Sequence, residues 1–362
     1  MKALSFTHAK HWYFNPTINH PINSDTLNFI HNPNQFIPNI SQKINQLPSL
    51  SLNSSKNPNS PTTPPLVVVG SANADIYVEI ERVPEKGETI SAKSGQTLAG
   101  GKGANQAVCG GKLSYPTYFV GQVGEDAHGN LISEALEGGG VCLDRLRNVT
   151  GAPTGHAVVM LQSDGQNSII IVGGANMSCW PRLISDEDLE VVTNAGILLL
   201  QREIPDSVNT QVAKAARNAG VPVILDAGGM DAPLPRELLN YVDILSPNES
   251  ELSRLTGMPT ETFEQVNQAV TKCYEMGVKQ VLVKLGAKGS ALFVEGKEPI
   301  KQAIIAAPKV IDTTGAGDTF TAAFAVAFVE GKSNQECLRF ACKNFLLQIP
   351  IPLFDHHTSS CT

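Results

Sequence analysis

Five short apolar runs recur along the chain, and they narrow its fold more than any other feature. Leu66-Val67-Val68-Val69 ends at Gly70, and Ile197–Leu200, Val223–Leu225, Val242–Leu245 and Val281–Val283 repeat the pattern. Each is too short for a core helix, and all but Val242–Leu245, which carries Asp243, are too uniformly apolar for a strand with one wet face. Such runs are strands buried on both sides. Helix-like stretches lie between them. Asp206–Ala219 carries Val208, Val212, Ala215 and Ala216 and stops at Gly220. Asn248–Thr256 has Asn248 as its cap and Gly257 as its stop. Strands alternating with helices predict an α/β fold, a mainly parallel sheet covered on both faces. Ligands on such sheets bind beyond the C-terminal ends of the strands.

Two segments break this rhythm. Gly87–Gln96 alternates and is polar, and His156–Gln162 and Ser168–Val172 flank Ser163-Asp164-Gly165-Gln166, which reads as a hairpin with an Asp-Gly turn. Extended pieces inserted into an α/β body predict a small β-strand lid, over about 76–100 and 155–176.

The first 65 residues are of another kind: rich in Ser, Asn, Thr and Pro, with one acid, Asp25, four lysines and no arginine. Such a composition does not build a packed core. No compact apolar stretch follows a basic start, which argues against a secretory signal. Few acids and many hydroxyl residues suit an organelle transit peptide, and the absence of arginine favours a plastid; the alternatives are a cytoplasmic protein and a tail with no address. The whole chain of 362 residues carries a net charge of −7. That balance argues against a broad nucleic-acid surface. No apolar run approaches the roughly 20 residues of a membrane-spanning helix. Seven scattered cysteines form no CxxC pair or Cys/His cluster, so they read as free thiols.

Three loops carry the chemistry. Asp312-Thr313-Thr314-Gly315-Ala316-Gly317-Asp318 precedes a small apolar run, Thr319–Val329, that reads as a buried helix. Backbone N–H groups at a helix start bind anions. A carboxylate beside such a site repels phosphate, but it is well placed to take a proton from an attacking hydroxyl. The plainer alternative makes Asp318 a helix cap. Gly100-Gly101-Lys102-Gly103-Ala104-Asn105-Gln106-Ala107 bares its backbone and adds one cation and one amide; alone it would be a tight turn into a helix. It is not a Walker A loop, and the Gly331-Lys332-Ser333 triplet has Val326 where such a loop needs its first glycine. Gly70-Ser71-Ala72-Asn73-Ala74-Asp75 places Asn73 and Asp75 two apart, on one side if extended, which suits vicinal hydroxyls; an Asx turn is the alternative.

Together these segments resemble the ribokinase-like (PfkB) family of carbohydrate kinases. The residues concerned are GGKGANQA at 100–107, DTTGAGDTF at 312–320, GSANAD at 70–75, LLQREIP at 199–205 and SPNESE at 246–251, in order, over about residues 66–342. The resemblance implies a doubly wound fold with a β lid that often clasps a homodimer. It implies transfer of the ATP γ-phosphoryl group to the terminal hydroxyl of D-ribose. Asp318 corresponds to the catalytic base, and Gly315, Ala316 and Gly317 to the anion hole. Asn73, Asp75, Gly101, Lys102, Asn105 and Glu203 correspond to the sugar-binding set. Asn248 corresponds to a nucleotide-phosphate contact, and Lys284, Leu285, Gly286, Ala287, Lys288 and Gly289 to the loop that supports the nucleotide. Glu251 corresponds to the acid that holds Mg²⁺ through water, and Asp312 and Thr314 to part of a K⁺ site. Another sugar or nucleoside kinase of the same family is the neighbouring reading.

Two departures stand out. Position 284 is lysine where the family often has a small hydroxyl residue; it either adds charge near the phosphates or is a surface lysine. After Cys342 the family pattern of small residues, a Gly-Ala loop and a last helix gives way to an atypical tail, 343–362, in which Pro350 and Pro352 forbid a continuing helix. His356-His357 in that tail read as polar residues rather than a metal site. The expectation is a shortened product lacking part of the adenine pocket and cation site, with an impaired, kinase-like scaffold as the rival to an active enzyme.

Overall fold

The computed structural model describes residues 63–164, 166–230, 232–305 and 315–345. Most of the N-terminal leader, Asp312, Thr314 and the tail from residue 346 lie outside the described residues.

Among the described residues, nine strands form one sheet and four form another. The chain opens with β1 (Leu66–Val69) and passes to β2 (Asn73–Ile80) and β3 (Ser94–Gly100). Then come α1 (Lys102–Lys112), β4 (Thr117–Gly124), α2 (Ala127–Gly138), β5 (Leu146–Val149), β6 (Gly155–Gln162), β7 (Asn167–Val172) and α3 (Asp186–Thr193). The second half runs β8 (Ile197–Arg202), α4 (Asp206–Asn218), β9 (Val223–Gly229), α5 (Arg236–Leu239), β10 (Ile244–Ser246), α6 (Glu249–Thr256), α7 (Phe263–Glu275) and β11 (Gln280–Lys284). It closes with β12 (Ser290–Val294), β13 (Ile300–Gln302), α8 (Ala316–Val329) and α9 (Asn334–Phe345).

The large sheet has the order β13-β12-β11-β10-β9-β8-β1-β4-β5. It is parallel from β11 to β5, and β12 and β13 add an antiparallel edge. The chain winds from β1 outward to β5, then crosses back past β1 to β8 and on to β11. This reversal opens a crevice at the C-terminal ends of β1 and β8. The period of two along β1 divides the core. Val67 and Val69 join Leu198 and Leu200 beneath α3, α4, α6 and α7. Leu66 and Val68 join Ile197 and Leu199 beneath α1, α2, α8 and α9. Each such side chain, wholly removed from water, contributes about 1.5–3 kcal/mol. α8 is buried nearly all round, as its run of Ala, Phe and Val implies.

The small sheet has the order β3-β2-β6-β7. The expected hairpin is β6–β7, antiparallel, with Leu161 opposite Asn167. The expected extended segment at 87–96 is displaced: the paired strand is Ser94–Gly100, and residues before Ser94 lie in turns and irregular chain. Cross-strand register decides this, since Asn73 sits opposite Gly100 and Glu79 opposite Ser94. Val242 and Asp243 also precede β10 rather than join it. Asp243 instead hydrogen-bonds Val223 from both its backbone and its side chain. The six cysteines among the described residues are free thiols. No helix among the described residues is long and apolar enough to cross a membrane.

Candidate active site

Asn73, Glu203, Asn248 and Lys284 stand at or just beyond the C-terminal ends of β1, β8, β10 and β11, and Asp226 of β9 lies level with the end of β10. The parallel sheet therefore collects residues more than 200 positions apart into one crevice.

Its first wall is the junction of β1, β2 and α1. Gly101 has φ 90°, and a Cβ there would lie 2.7 Å from the Asn73 nitrogen, so only glycine lets the α1 loop come this close. The Ser71 hydroxyl donates to Glu203 Oε2 at 2.6 Å, and the Lys102 N–H donates to the same oxygen at 3.1 Å. Glu203 thereby ties the end of β8 to the start of α1. Asn73 is held by Asn176, whose Nδ2 donates to Asn73 Oδ1 at 2.7 Å and to the Ala72 carbonyl at 3.0 Å. The Ala72 N–H donates back to Asn176 Oδ1 at 2.9 Å. Asn176 is buried and lies just past the β6–β7 hairpin; nothing in the sequence around it signals this role.

The second wall is the start of α8. Gly315, in the left-handed region at φ 70°, is the cap, and Asp318 lies within the first turn, so the reading of Asp318 as the cap is corrected. The Asp318 carboxylate points across the crevice instead. Its Oδ2 accepts from Asn105 Nδ2 at 3.0 Å, and its Oδ1 lies 3.4 Å from Lys102 Nζ. The backbone of Gly315, Ala316 and Gly317 leads into the helix beside it.

Lys284 is corrected in one respect. It is not a surface lysine: its ammonium is mostly buried and donates to Asp226 Oδ2 at 2.6 Å. That ammonium also lies 3.8 Å from where a Cβ on Gly317 would stand, beside the anion-binding turn. The other oxygen of Asp226 lies 3.5 Å from Lys102 Nζ. Asp226 belongs to no motif read from the sequence.

On the nucleotide side, Asn248 caps α6. Its Oδ1 accepts from the Glu251 N–H at 2.8 Å, and Glu251 Oε2 accepts from the Asn248 N–H at 2.8 Å. The second Glu251 oxygen, Oε1, is turned the other way, 2.6 Å from where a Cβ on Gly228 would stand. It faces the crevice and can hold a metal-bound water. Among the described residues no three carboxylate, histidine or cysteine groups converge as a metal-ligating cluster. Leu285–Gly289 follows β11 as a turn, with the Leu285 N–H donating to the Gly289 carbonyl at 2.8 Å. The Lys288 ammonium is drawn to Glu249 at 3.3 Å and to the Glu261 carbonyl at 2.8 Å. Leu285 and Lys288 also border a cavity of about 270 Å³ under Phe263.

Five carboxylates and two ammonium groups share this space, and their titration reflects it. Burial pushes the Asp75 carboxyl from its ordinary 3.8 up to about 6, with the charges of Glu203 and Asp318 adding to the effect. Burial also raises Glu203, against the hydrogen bond from Ser71 and the charge of Lys102. Burial raises Asp318 too; Lys102 opposes this and Asp226 adds to it. Burial disfavours the Lys102 ammonium, but Asp226, Asp318, Glu251 and Glu203 outweigh it and keep it charged well above the usual lysine range. Burial would raise Asp226, yet Lys102 and Lys284 hold it well below the usual carboxylate range. A carboxyl whose affinity for a proton is raised, aimed into a crevice beside an anion-binding turn, is equipped to deprotonate a hydroxyl.

The family model for the pfkB family carbohydrate kinase matches residues 64–344. The chain belongs to the pfkB family of carbohydrate kinases. The kinase is 77% identical over 280 residues to ribokinase of Arabidopsis thaliana, an alignment covering 77% of this chain and 74% of that one. It is 35% identical over 276 residues to ribokinase of Bacillus subtilis, covering 76% and 89%. Its fold matches the structure of Arabidopsis thaliana ribokinase complexed with ribose and ATP, with a TM-score of 0.77 at 75% identity, over 79% of this chain and 92% of that one. The α/β architecture expected from the alternating strands and helices is the ribokinase fold of that structure.

Proposed function

We propose that the kinase transfers the γ-phosphoryl group of ATP to the terminal hydroxyl of D-ribose, giving ribose 5-phosphate and ADP. One observation carries the reading: the Asp318 carboxylate sits at the start of α8, 3.0 Å from Asn105 and 3.4 Å from Lys102, so base, sugar-side groups and anion-binding turn meet at one point. The similarity to ribokinases on both sides of that point supports it.

In this mechanism Asn73, Asp75, Gly101, Lys102, Asn105 and Glu203 bind the sugar. Carboxylates and amides accept hydrogen bonds from a polyol, and a site built of such groups rejects analogues that leave them unpaired. Asp318 takes the proton of the attacking hydroxyl as its oxygen bonds to the γ-phosphorus. The bond to the bridging oxygen breaks, and ADP departs. The N–H groups after Gly315 receive the charge that develops on the transferred group. Asn248, Lys284 and the Leu285–Gly289 turn bear on the nucleotide. Glu251 would hold Mg²⁺ through water, and the ion would supply neutralisation of phosphate charge. Asp312 and Thr314, which the resemblance assigns to part of a K⁺ site, lie outside the described residues.

The kinase acts as a homodimer in this reading. Ile169, Ile170, Ile171 and Val172 of β7 are 54%, 55%, 65% and 38% exposed on an edge strand. An apolar edge of that size is unstable in water unless covered, and a second copy covers it symmetrically. The acid-poor, hydroxyl-rich leader without arginine supports a plastid location in this reading.

The test is ADP release by the full chain with D-ribose, MgATP and K⁺, with fructose and adenosine as rival acceptors. Ribose-dependent turnover, lowered about 10²–10⁴-fold in Asp318→Asn with ribose binding retained, is the expected result. Turnover only with adenosine or fructose moves the substrate elsewhere in the family. A folded protein that binds ribose and turns over none of the three overturns the reading in favour of a non-catalytic scaffold.

A further inference from the structure

We infer that Asp226 is a positioning residue for phosphoryl transfer: its one buried carboxylate holds the sugar-side ammonium of Lys102 and the nucleotide-side ammonium of Lys284 on either side of the start of α8. The inference rests on the kinase reading above.

Asp226 is wholly buried in the middle of β9, level with Ser246 at the end of β10, and each of its oxygens has a separate task. Oδ1 lies 3.5 Å from Lys102 Nζ and accepts from the Gly228 N–H at 3.0 Å. Oδ2 accepts from Lys284 Nζ at 2.6 Å and from the Thr321 hydroxyl at 3.2 Å. The same Thr321 hydroxyl lies 3.0 Å from the Gly317 carbonyl, one turn earlier in α8, so its single proton is shared between carboxylate and carbonyl. The carboxylate is thus fastened to the helix that presents the anion-binding turn, and it fixes both cations relative to that turn. A buried carboxylate with a single lysine would be an ordinary structural pair. Here it divides Lys102 with Asp318, the base. While Lys102 is shared, it does not neutralise Asp318 fully. While Lys284 is anchored, its charge stands beside Gly317 with no reorganisation needed when phosphate charge arrives.

The groups facing Asp318 from its neighbours are Lys102, Asn105 and Cys109 on α1, Asp226 on β9, Lys284 on β11, Asp75 on β2 and Glu203 after β8. Asp226→Asn removes one like charge from this set and removes the acid that competes most strongly with Asp318 for Lys102. Both changes strengthen the hold on the ionised form of Asp318. The acid limb of the kcat profile then moves to lower pH, and the weaker base turns over more slowly.

The experiment measures kcat, the KM values for ribose and ATP, and the kcat–pH profile of the full chain as wild type, Asp226→Asn and Asp226→Asn/Lys284→Gln. The double variant removes both members of the buried pair, so it leaves no stranded ammonium if the single one fails to fold. The expected result in every variant that folds is a kcat lowered about 10–100-fold, with the acid limb displaced to lower pH. A variant that folds, melts lower than wild type, and keeps the wild-type kcat and pH profile assigns Asp226 to stability alone and overturns the inference. If wild type releases no ADP with ribose, the kinase reading fails and this inference falls with it. If wild type is active and the variants match it, only the positioning role is lost.

Discussion

Replacing Asp75 by asparagine should stabilise the ligand-free kinase while disabling its sugar site. The carboxyl is held at about 6 against an ordinary 3.8, chiefly by burial and then by Glu203 and Asp318. Its folded value is raised, so the folded state binds the proton more tightly than the unfolded chain does. The stability contributed by protonation is full below 3.8 and is lost as pH rises through 6. At pH 8 wild type therefore carries an ionised Asp75 that opposes folding by about 3 kcal/mol, taken from that difference at 1.36 kcal/mol per unit. The isosteric amide has no such charge. Urea unfolding without ribose should show Asp75→Asn more stable by up to about 3 kcal/mol at pH 8, narrowing to about 1 kcal/mol at pH 4.5. Ribose should stabilise wild type and barely affect the variant. A variant that is less stable at pH 8, or whose difference from wild type does not change with pH, would refute the reasoning that this carboxylate is ionised against its surroundings to meet a ligand.

Four further outcomes follow from the same geometry. Gly101→Ala puts a Cβ 2.7 Å from the Asn73 nitrogen at a positive φ; it should lower stability by at least about 1–3 kcal/mol and raise the ribose KM, read by melting and steady-state kinetics. Asn176→Ala strands the buried N–H and carbonyl of Ala72 and frees Asn73. A loss of about 1–3 kcal/mol with a raised ribose KM and an unchanged ATP KM is expected, by denaturation and initial rates. Glu251→Gln retains the α6 cap but removes the charge facing the crevice, so the Mg²⁺ concentration for half-maximal rate should rise while ribose affinity stays as it was. Ile169→Glu with Ile171→Glu should convert a dimer to a monomer in size-exclusion chromatography with light scattering.

The parallel core was legible because its strands are buried on both faces, so four consecutive apolar residues such as Leu66–Val69 have few other uses. The cap at Asn248 and its stop at Gly257 were legible because their chemistry is local, complete within ten residues. Lys102, Asn105 and Asp318 could be named because each lies in a loop whose composition is unusual. Asp226 was hidden for the opposite reason: a lone acid after Val-Ile-Leu carries no local signature, and its partners come from α1, β11 and α8. Asn176 is about a hundred residues from the backbone it supports. Lys284 stayed open between a charge near the phosphates and a surface lysine because the acid it pairs with is 58 positions upstream. The displaced β3 shows the same limit, since alternation at 87–96 suggested a strand, whereas pairing with β2 chose 94–100.

The register of the small sheet has a mechanical consequence. Asn73 is opposite Gly100 on one neighbouring strand and opposite Gly155 on the other, so three strands leave the body of the molecule from a single point. The β7 edge runs alongside the arm they form, from Val172 opposite His156 near that fulcrum to Asn167 opposite Leu161 near its tip. Ile80, at the other end of β2, is seven residues away, about 23 Å of extended chain. A rotation of about 10° around Asn73 would carry that end through about 4 Å and shift the Asn73 backbone hardly at all. Under the proposed function the pivot of this long lever carries the sugar-binding residues, so a small rotation there is magnified at the distant rim.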